Sequence, residues 1–174
     1  MTRINILGNS GSGKSTLARA IGEQLNSPVI HLDRLFWEPG WREADPRVFR
    51  RRVARAVGGD AWVCEGNYAA KTFDLRLARA DLTIWLDTPR LTCAARVIRR
   101  STGIKVRPDL PVGCKEGHLK NTIDLVRDIM QFDAVRRPRI EAELARWITA
   151  GSVLHLKDRR QIAAFLTSLR RPAG

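Results

Sequence analysis

Nine consecutive residues near the N-terminus have the composition of a loop that binds phosphate groups. They read Gly8-Asn9-Ser10-Gly11-Ser12-Gly13-Lys14-Ser15-Thr16, and the first eight fit the pattern G-x-x-x-x-G-K-[ST] in full. Glycines let the backbone curl with its N–H groups inward, and a following helix adds its positive dipole end. Lys14 would hold the β- and γ-phosphates during catalysis, Ser15 would bind Mg²⁺, and Thr16 would contact the α-phosphate. The motif therefore predicts binding of ATP with Mg²⁺.

An acidic residue follows the second apolar run and could act on a phosphoryl acceptor. Residues 29–32 are predicted to form a strand, with His31 and Asp33 at its carboxyl end. Catalytic side chains of open α/β sheets gather at this edge. The Asp33 carboxylate could therefore orient or deprotonate an acceptor hydroxyl. A helix cap or a salt bridge is the alternative role for Asp33. His31 could contact the acceptor, but we expect it to be a hydrogen-bonded core residue.

Two further carboxylates compete for magnesium. Glu65 follows the strand predicted at 61–64, an arrangement typical of a Walker B element that holds Mg²⁺ through water. Asp87 follows the strand predicted at 82–86, where the next residues, Thr-Pro, favour a helix cap instead. We therefore assign Ser15 and Glu65 to magnesium.

A basic cluster follows the fourth predicted strand. Arg96, Arg99 and Arg100 share a broad face of a predicted helix, and Arg107 lies in an aperiodic segment at 101–117 that is predicted to be a lid. Phosphoryl-transfer enzymes use arginines in such places to neutralise charge in the transition state. Arg99, Arg100 and Arg107 are thus catalytic candidates. The same side chains could instead clamp DNA phosphates or form a solvated basic surface.

Three large aromatic residues lie within seven positions. The segment reads Leu35-Phe36-Trp37-Glu38-Pro39-Gly40-Trp41 and contains a turn. Exposed rings in a small domain usually have a use. They could form an apolar acceptor pocket, stack on a base, or pack on the core as a local lid.

Short apolar runs alternate with amphipathic stretches, and this pattern predicts the elements that position these residues. Strands are expected at 4–7, 29–32, 61–64, 82–86 and 152–156. Helices are expected at 15–24, 46–57, 89–100, 118–132, 139–149 and 160–169, with a break at 137–138. Such an order is typical of a three-layer α/β domain with a parallel sheet, here one domain over 1–174.

The composition limits the class of function. Lysine and arginine number 31 against 18 acidic residues, so the net charge is +13 and favours anionic partners. A hydrophobic fraction of 44% excludes wholesale disorder. No run approaches the roughly 18 apolar residues of a membrane span, and three cysteines make no disulfide framework. We expect a cytoplasmic protein without a membrane partner, and its oligomeric state stays open.

Five motifs along nearly the whole chain resemble those of adenylate-kinase-related P-loop proteins called topology modulation proteins. They are GNSGSGKST at 8–16, HLDRLFWEPGW at 31–41, EGNY at 65–68, RPDLPVGC at 107–114 and RRPRI at 136–140. The resemblance implies a nucleotide-kinase-like fold, a five-stranded parallel sheet of order 2-3-1-4-5, a mobile lid and ATP binding. Such proteins usually have Asp at the position of Glu65, whose longer side chain changes the reach toward magnesium.

Together these features predict a phosphotransferase that moves the γ-phosphoryl group of ATP to a small acceptor, either a nucleotide or a hydroxyl metabolite. The alternative is a nucleotide-dependent DNA-binding regulator of DNA topology with weak ATPase activity. The direction of the arginines separates the two. Convergence on the phosphate loop favours a kinase, and a flat outward stripe favours DNA.

Overall fold

The computed structural model describes residues 2–101, 111–114, 119–147 and 153–169. Its strands are β1 (Arg3–Gly8), β2 (Val29–His31), β3 (Trp37–Glu38), β4 (Arg42–Glu43), β5 (Trp62–Glu65), β6 (Leu82–Leu86) and β7 (Val153–Leu156). Its α-helices are α1 (Lys14–Leu25), α2 (Leu32–Phe36), α3 (Pro46–Ala56), α4 (Ala69–Arg76), α5 (Arg90–Ser101), α6 (Leu119–Gln131), α7 (Arg137–Trp147) and α8 (Arg159–Leu169). None of the helices in these ranges has the length and apolar character needed to cross a membrane.

A parallel sheet of five strands forms the centre of the fold, in the order β2-β5-β1-β6-β7. Counted along the chain, these five strands have the order 2-3-1-4-5, which confirms the predicted fold class. Strand β1 is central, and Ile6 pairs with Glu65 on one side and Ile84 on the other. The carboxyl ends of the strands therefore meet where the phosphate-binding motif begins.

Helices cover both faces of the sheet. Successive side chains of β1 point to opposite faces, so each face has apolar side chains that a helix can bury. Ile4 and Ile6 pack with α1, and side chains of α8 surround the same cluster. Leu7 points to the other face and joins a cluster with Phe73 of α4 and Leu144 of α7. The helices α2 and α3 add a third cluster near β2 and β5. The result is the three-layer arrangement expected from the sequence.

Three features in the middle of the chain were not predicted from the sequence. They are the short helix α2, the antiparallel hairpin β3–β4 and the helix α4. The predicted break at 137–138 is absent, because a π-helical turn (Phe132–Arg136) leads directly into α7. Pro138 is the second residue of α7 and follows the π-helical turn directly, a local distortion of the helix that suits a residue unable to donate to the carbonyl four positions back.

The predicted lid at 101–117 lies mostly outside the described residues. Ser101 ends α5, and residues 111–114 are the other described part of the segment. Arg107 lies outside the described residues, so its predicted role stays a prediction.

Candidate active site

The phosphate-binding motif forms a tightly curved loop between β1 and α1. Gly8 has a φ of +140° and Gly11 a φ of +76°. A Cβ atom at Gly8 would lie 2.5 Å from the Leu86 carbonyl oxygen, and one at Gly11 would lie 2.5 Å from that of Cys93. Only glycine avoids both the strain and the collision at these positions. The loop leads into α1, whose first amide groups have no partners within the helix.

Two polar groups of this loop fit the phosphates of ATP. The Lys14 ammonium donates to the carbonyl oxygens of Gly8 and Asn9 at 3.0 and 2.9 Å, so it lies across the loop. The hydroxyl of Ser12 is buried and has no hydrogen-bond partner in the described part of the chain. A buried hydroxyl without a partner is unfavourable, and a phosphate oxygen would satisfy it.

The remaining residues of the motif are held differently. Asn9 is buried, and its amide donates to the carbonyl oxygen of Ile129 in α6 at 3.0 Å. Ser10 and Gly13 are half-buried, and Thr16 is exposed on α1. The loop is thus anchored to the helix that follows the predicted lid.

The predicted magnesium residues, Ser15 and Glu65, are in contact. The Ser15 hydroxyl donates to Glu65 Oε1 at 3.1 Å, and His31 Nδ1 lies 2.9 Å from the same oxygen. Burial alone would raise the pKa of Glu65, but the His31 hydrogen bond, the Lys14 charge and the Ser15 hydrogen bond outweigh it and lower that pKa. Glu65 is therefore a carboxylate at neutral pH. His31 is buried and hydrogen-bonded to it, as expected from the sequence.

This pair fits a magnesium ion that is held mainly by ATP and water. Among the described residues, no group of three or more His, Cys, Asp or Glu side chains could hold a metal by itself. Mg²⁺ in nucleotide sites usually keeps several waters and takes few protein ligands. The Ser15 hydroxyl, hydrogen-bonded to the Glu65 carboxylate, meets this requirement for few protein ligands.

Asp33 and the phosphate loop are connected through two consecutive residues after β5. The Tyr68 hydroxyl donates to Asp33 Oδ1 at 2.8 Å. The Asn67 amide accepts from Gly8 N at 3.2 Å and donates to Gly8 O at 3.0 Å. Burial and the Asp33 charge raise the pKa of Tyr68 well above its ordinary value, so the phenol stays protonated and keeps donating. Asp33 itself is exposed at the first turn of α2.

One arginine of the basic cluster lies on the phosphate loop, and it was not among the predicted catalytic residues. Arg96 Nη1 donates to the carbonyl oxygens of Gly11 and Ser12 at 3.3 and 3.0 Å. Arg99 and Arg100 lie in the last turn of α5, the former exposed and the latter half-buried. Arg96 lies one helical turn closer to β6 than Arg99 and Arg100 do. That position in the sequence was the available indication that Arg96 is the arginine nearest the carboxyl ends of the strands.

The helix cap predicted for Asp87 was wrong. Its carboxylate forms a two-bond ion pair with the Arg137 guanidinium, at 3.0 and 3.1 Å. The hydrogen bond to Asp87 raises the pKa of Arg137. The neighbouring Arg136 pairs with Asp128. Arg136 and Arg137, which follow the predicted lid and its helix in the sequence, therefore form ion pairs within the chain.

The predicted aromatic segment is divided between core and cavity wall. Phe36 is buried and packs against the rings of Phe49 and Tyr68, with centroids 5.0 and 4.7 Å apart. Trp37 instead lines a cavity of about 460 Å³. The residues around this cavity are Arg34, Trp37, Glu38, Pro39, Arg52 and Val112.

The described part of the lid segment touches the tip of the β3–β4 hairpin. Gly40 N donates to the Gly113 carbonyl oxygen at 3.2 Å. The thiol of Cys114 is buried and donates to the Glu38 carbonyl oxygen at 3.3 Å. Residues 111–114 thus rest on the same hairpin that carries Trp37.

Known proteins resemble the chain over most of its length. A shikimate kinase from Symbiobacterium thermophilum is 35% identical over 119 residues, which are 60% of this chain and 67% of that protein. A shikimate kinase from Corynebacterium efficiens is 26% identical over 169 residues, 88% of this chain and 95% of that protein. The chain belongs to the shikimate-kinase-like family of P-loop kinases. No family model matches it.

A solved structure supports the fold independently. The crystal structure of shikimate kinase from Bacteroides thetaiotaomicron superposes with a TM-score of 0.58 over 97% of this chain and 96% of that one, at 22% sequence identity. As a member of this family, the chain is an ATP-dependent small-molecule kinase that uses Mg²⁺. These relatives are shikimate kinases, so the finer resemblance to topology modulation proteins stays an inference from the five motifs.

Proposed function

We propose that this kinase transfers the γ-phosphoryl group of ATP to a hydroxyl group of a small metabolite. One observation carries the proposal: Asn67 binds Gly8 of the phosphate loop, and the next residue, Tyr68, donates to Asp33. These contacts join the carboxylate that would face the acceptor to the loop that would hold the donor. Phosphoryl transfer depends on holding donor and acceptor in line in this way.

The donor would be held by the loop amides, Lys14 and Ser15. The Lys14 ammonium would exchange its two carbonyl partners for phosphate oxygens, which carry more negative charge. Magnesium, when bound, neutralises the phosphates and polarises the transferred group. Ser15 would be its protein ligand, and Glu65 would orient that hydroxyl and a coordinating water.

Asp33 would act on the acceptor. Its carboxylate would accept the hydrogen bond of the acceptor hydroxyl, aim the oxygen at the γ-phosphorus and take the proton as the new P–O bond forms. The hydrogen bond from Tyr68 fixes the orientation of the carboxylate. A positioned base of this kind contributes roughly 10²–10⁴-fold to the rate.

The arginines would stabilise charge that develops during transfer. Arg99 and Arg100 would act from the end of α5, and Arg107 would act from the lid. Arg96 would have a separate role, because it holds the carbonyl groups of Gly11 and Ser12 and so supports the shape of the loop.

We infer that the acceptor carries an anionic group as well as a hydroxyl. The wall of the cavity beside α2 holds the guanidinium groups of Arg34 and Arg52, the indole of Trp37 and the Glu38 carboxylate, which pairs with Arg52 at 3.4 Å. The two guanidinium groups outnumber the one carboxylate, so the wall favours an anion. Arg34 follows Asp33 directly on α2. The relatives' name agrees, since shikimate is a hydroxylated ring carboxylate. A nucleotide, whose phosphate is also anionic, is the second class of acceptor.

The DNA-binding alternative gains no support from the relatives, and we do not adopt it. The resemblance to topology modulation proteins is compatible with a kinase, because it rests on the phosphate loop and on residues around Asp33 and Glu65.

Transfer of labelled phosphate from ATP to a panel of acceptors tests the proposal. The panel contains shikimate, other hydroxy acids, neutral alcohols, nucleosides and AMP, with the Lys14→Ala variant as the blank. We expect a labelled product with a hydroxy acid and none in the blank. Transfer to AMP alone would overturn the acceptor class. Turnover that depends on duplex DNA and labels no acceptor would overturn the kinase proposal.

A further inference from the structure

The side chain of Arg76 in α4 is completely buried, although it carries a charge that no ion pair described in the structure neutralises. It donates to four neutral oxygens: Thr72 Oγ1 and Asn5 Oδ1, each at 3.1 Å, the carbonyl of Gly66 at 2.8 Å, and the carbonyl of Asn67. The Cys64 side chain is a further hydrogen-bond partner, and the Glu65 carboxylate acts on the Arg76 charge without forming a described ion pair with it. Its guanidinium also lies 4.8 Å from the centre of the Phe73 ring. Removing such a charge from water is costly, so a neutral residue would suit a purely structural position better.

Two of the four acceptors belong to the turn that carries the active-site contacts. The turn lies between β5 and α4, and its last residue, Tyr68, has a left-handed φ of +36°. A large side chain in this region is strained and keeps the conformation only when its surroundings enforce it. The guanidinium, with rigid donors on two sides, holds the two carbonyl groups that precede Tyr68.

Arg76 has no described contact with the predicted catalytic residues. The side chains on and just before the turn that Arg76 holds, however, each contact one part of the site. Glu65, just before the turn, contacts Ser15. Asn67 holds Gly8 of the phosphate loop, and Tyr68 holds Asp33. Thr72 strengthens the link, because its hydroxyl accepts from Arg76 and donates to the Tyr68 carbonyl oxygen.

We propose that Arg76 is a positioning residue that sets Asp33 relative to the phosphate loop by fixing the backbone of residues 66–68. The proposal rests on the proposed function only for the catalytic role of Asp33. The part that concerns the position of Tyr68 is independent of any reaction.

The chain offers a direct probe of this position, because Tyr68 is its one tyrosine. In the native protein, burial and Asp33 keep the phenol protonated far into alkali. Besides Asp33, the carboxylate of Glu65 also raises the pKa of Tyr68, and the Lys71 ammonium lies nearby over the Phe36 ring. Tyrosinate absorbance in a pH titration therefore reports whether the ring keeps its place.

The experiment compares wild type, Arg76→Lys and the control Arg79→Lys. Arg79 lies three residues further on, is exposed, and donates to the carbonyl oxygens of Gly58 and Gly59. Lysine at 76 keeps the charge but cannot donate in several fixed directions. Circular dichroism at each pH identifies the range in which each variant stays folded.

We expect tyrosinate to appear at a lower pH in folded Arg76→Lys than in wild type and Arg79→Lys. We also expect kcat for phosphoryl transfer to fall on the order of 10²-fold, the effect of a small misplacement of reacting groups. The KM for ATP should change much less. A wild-type tyrosinate titration together with wild-type kcat in the folded variant would overturn the proposal.

A second variant covers the case in which Arg76→Lys does not fold. Thr72→Val keeps the volume and removes the hydroxyl that joins Arg76 to Tyr68. We expect the same two changes, smaller in size, and their absence would overturn the proposal. If Asp33→Asn leaves transfer intact, the proposed function fails, whereas the tyrosinate result still decides the role of Arg76.

Discussion

Replacing Asn67 by alanine tests whether the turn after β5 holds the phosphate loop. The Asn67 amide makes two hydrogen bonds to the backbone of Gly8, at 3.2 and 3.0 Å. Gly8 is buried and is the last residue of β1 before the loop curves. The variant therefore removes both contacts at the point where the loop begins.

The expected loss follows from these two contacts. Each hydrogen bond contributes about 0.5–1.5 kcal/mol, and a buried donor left without its acceptor costs roughly 1–3 kcal/mol. The Gly8 carbonyl keeps the Lys14 ammonium as a hydrogen-bond donor, so losing the Asn67 bond to this carbonyl destabilises the protein less than leaving the Gly8 amide without an acceptor. We expect the free energy of unfolding to fall by about 2–3 kcal/mol. We expect ATP-Mg affinity to fall about tenfold, equivalent to ~1.4 kcal/mol for ordering the loop again.

Urea unfolding and calorimetry with ATP-Mg measure the two losses, and Asn67→Asp is the matched control. Aspartate still accepts from Gly8 N, but it sets an oxygen against the Gly8 carbonyl and adds negative charge beside the phosphates. The Asp variant should therefore bind ATP more weakly than the Ala variant. An Ala variant with wild-type stability and affinity, or an Asp variant that binds ATP better than Ala, would refute the reasoning.

Three further outcomes are expected. Lys14→Ala should bind no detectable ATP by calorimetry while its circular dichroism stays that of the folded protein, and a folded variant with wild-type affinity would contradict the loop assignment. Arg100→Ala should slow transfer with a modest effect on ATP affinity, because its contact strengthens in the transition state; weaker duplex binding with unchanged turnover would argue for DNA instead. Asp74→Asn removes a carboxylate whose pKa is lowered by the Arg50 hydrogen bond. The ion pair therefore stabilises the folded protein fully at pH values above the pKa of Asp74 in the unfolded chain. This stabilisation is lost as the pH falls through the lower pKa of Asp74 in the folded protein. Urea unfolding should show a difference from wild type of about 0.5–1 kcal/mol at neutral pH, and a difference that does not shrink below a pH of about 4 would contradict this.

The sheet could be predicted because its inner strands, β1, β5 and β6, are buried on both faces and read as largely apolar runs. The helix α4 was missed for the opposite reason. Its buried residues are Thr72, Phe73 and Arg76, of which two are polar. The buried guanidinium of Arg76 depends on distant partners such as Asn5. Periodicity of apolar residues carries no signal for such a helix.

The phosphate loop could be predicted because all its determinants lie within nine residues. The contacts of Asn67, Arg76 and Arg96 were missed because they cross 59, 71 and 84 residues of chain. The cap predicted for Asp87 failed for the same reason, since Arg137 lies 50 residues away. Local spacing cannot anticipate which distant oxygen a guanidinium reaches.

Initial rates of phosphoryl transfer by wild type and Asp33→Asn, with ATP affinity measured on the same samples, test the central claim most directly. Asparagine keeps the shape of the side chain and a partner for the Tyr68 hydroxyl, but it cannot take a proton from the acceptor. We predict a loss of roughly 10²–10⁴-fold in kcat, with the Kd for ATP-Mg nearly unchanged. Wild-type transfer by the variant, or equal losses in rate and ATP affinity, would contradict the claim that Asp33 acts on a hydroxyl acceptor.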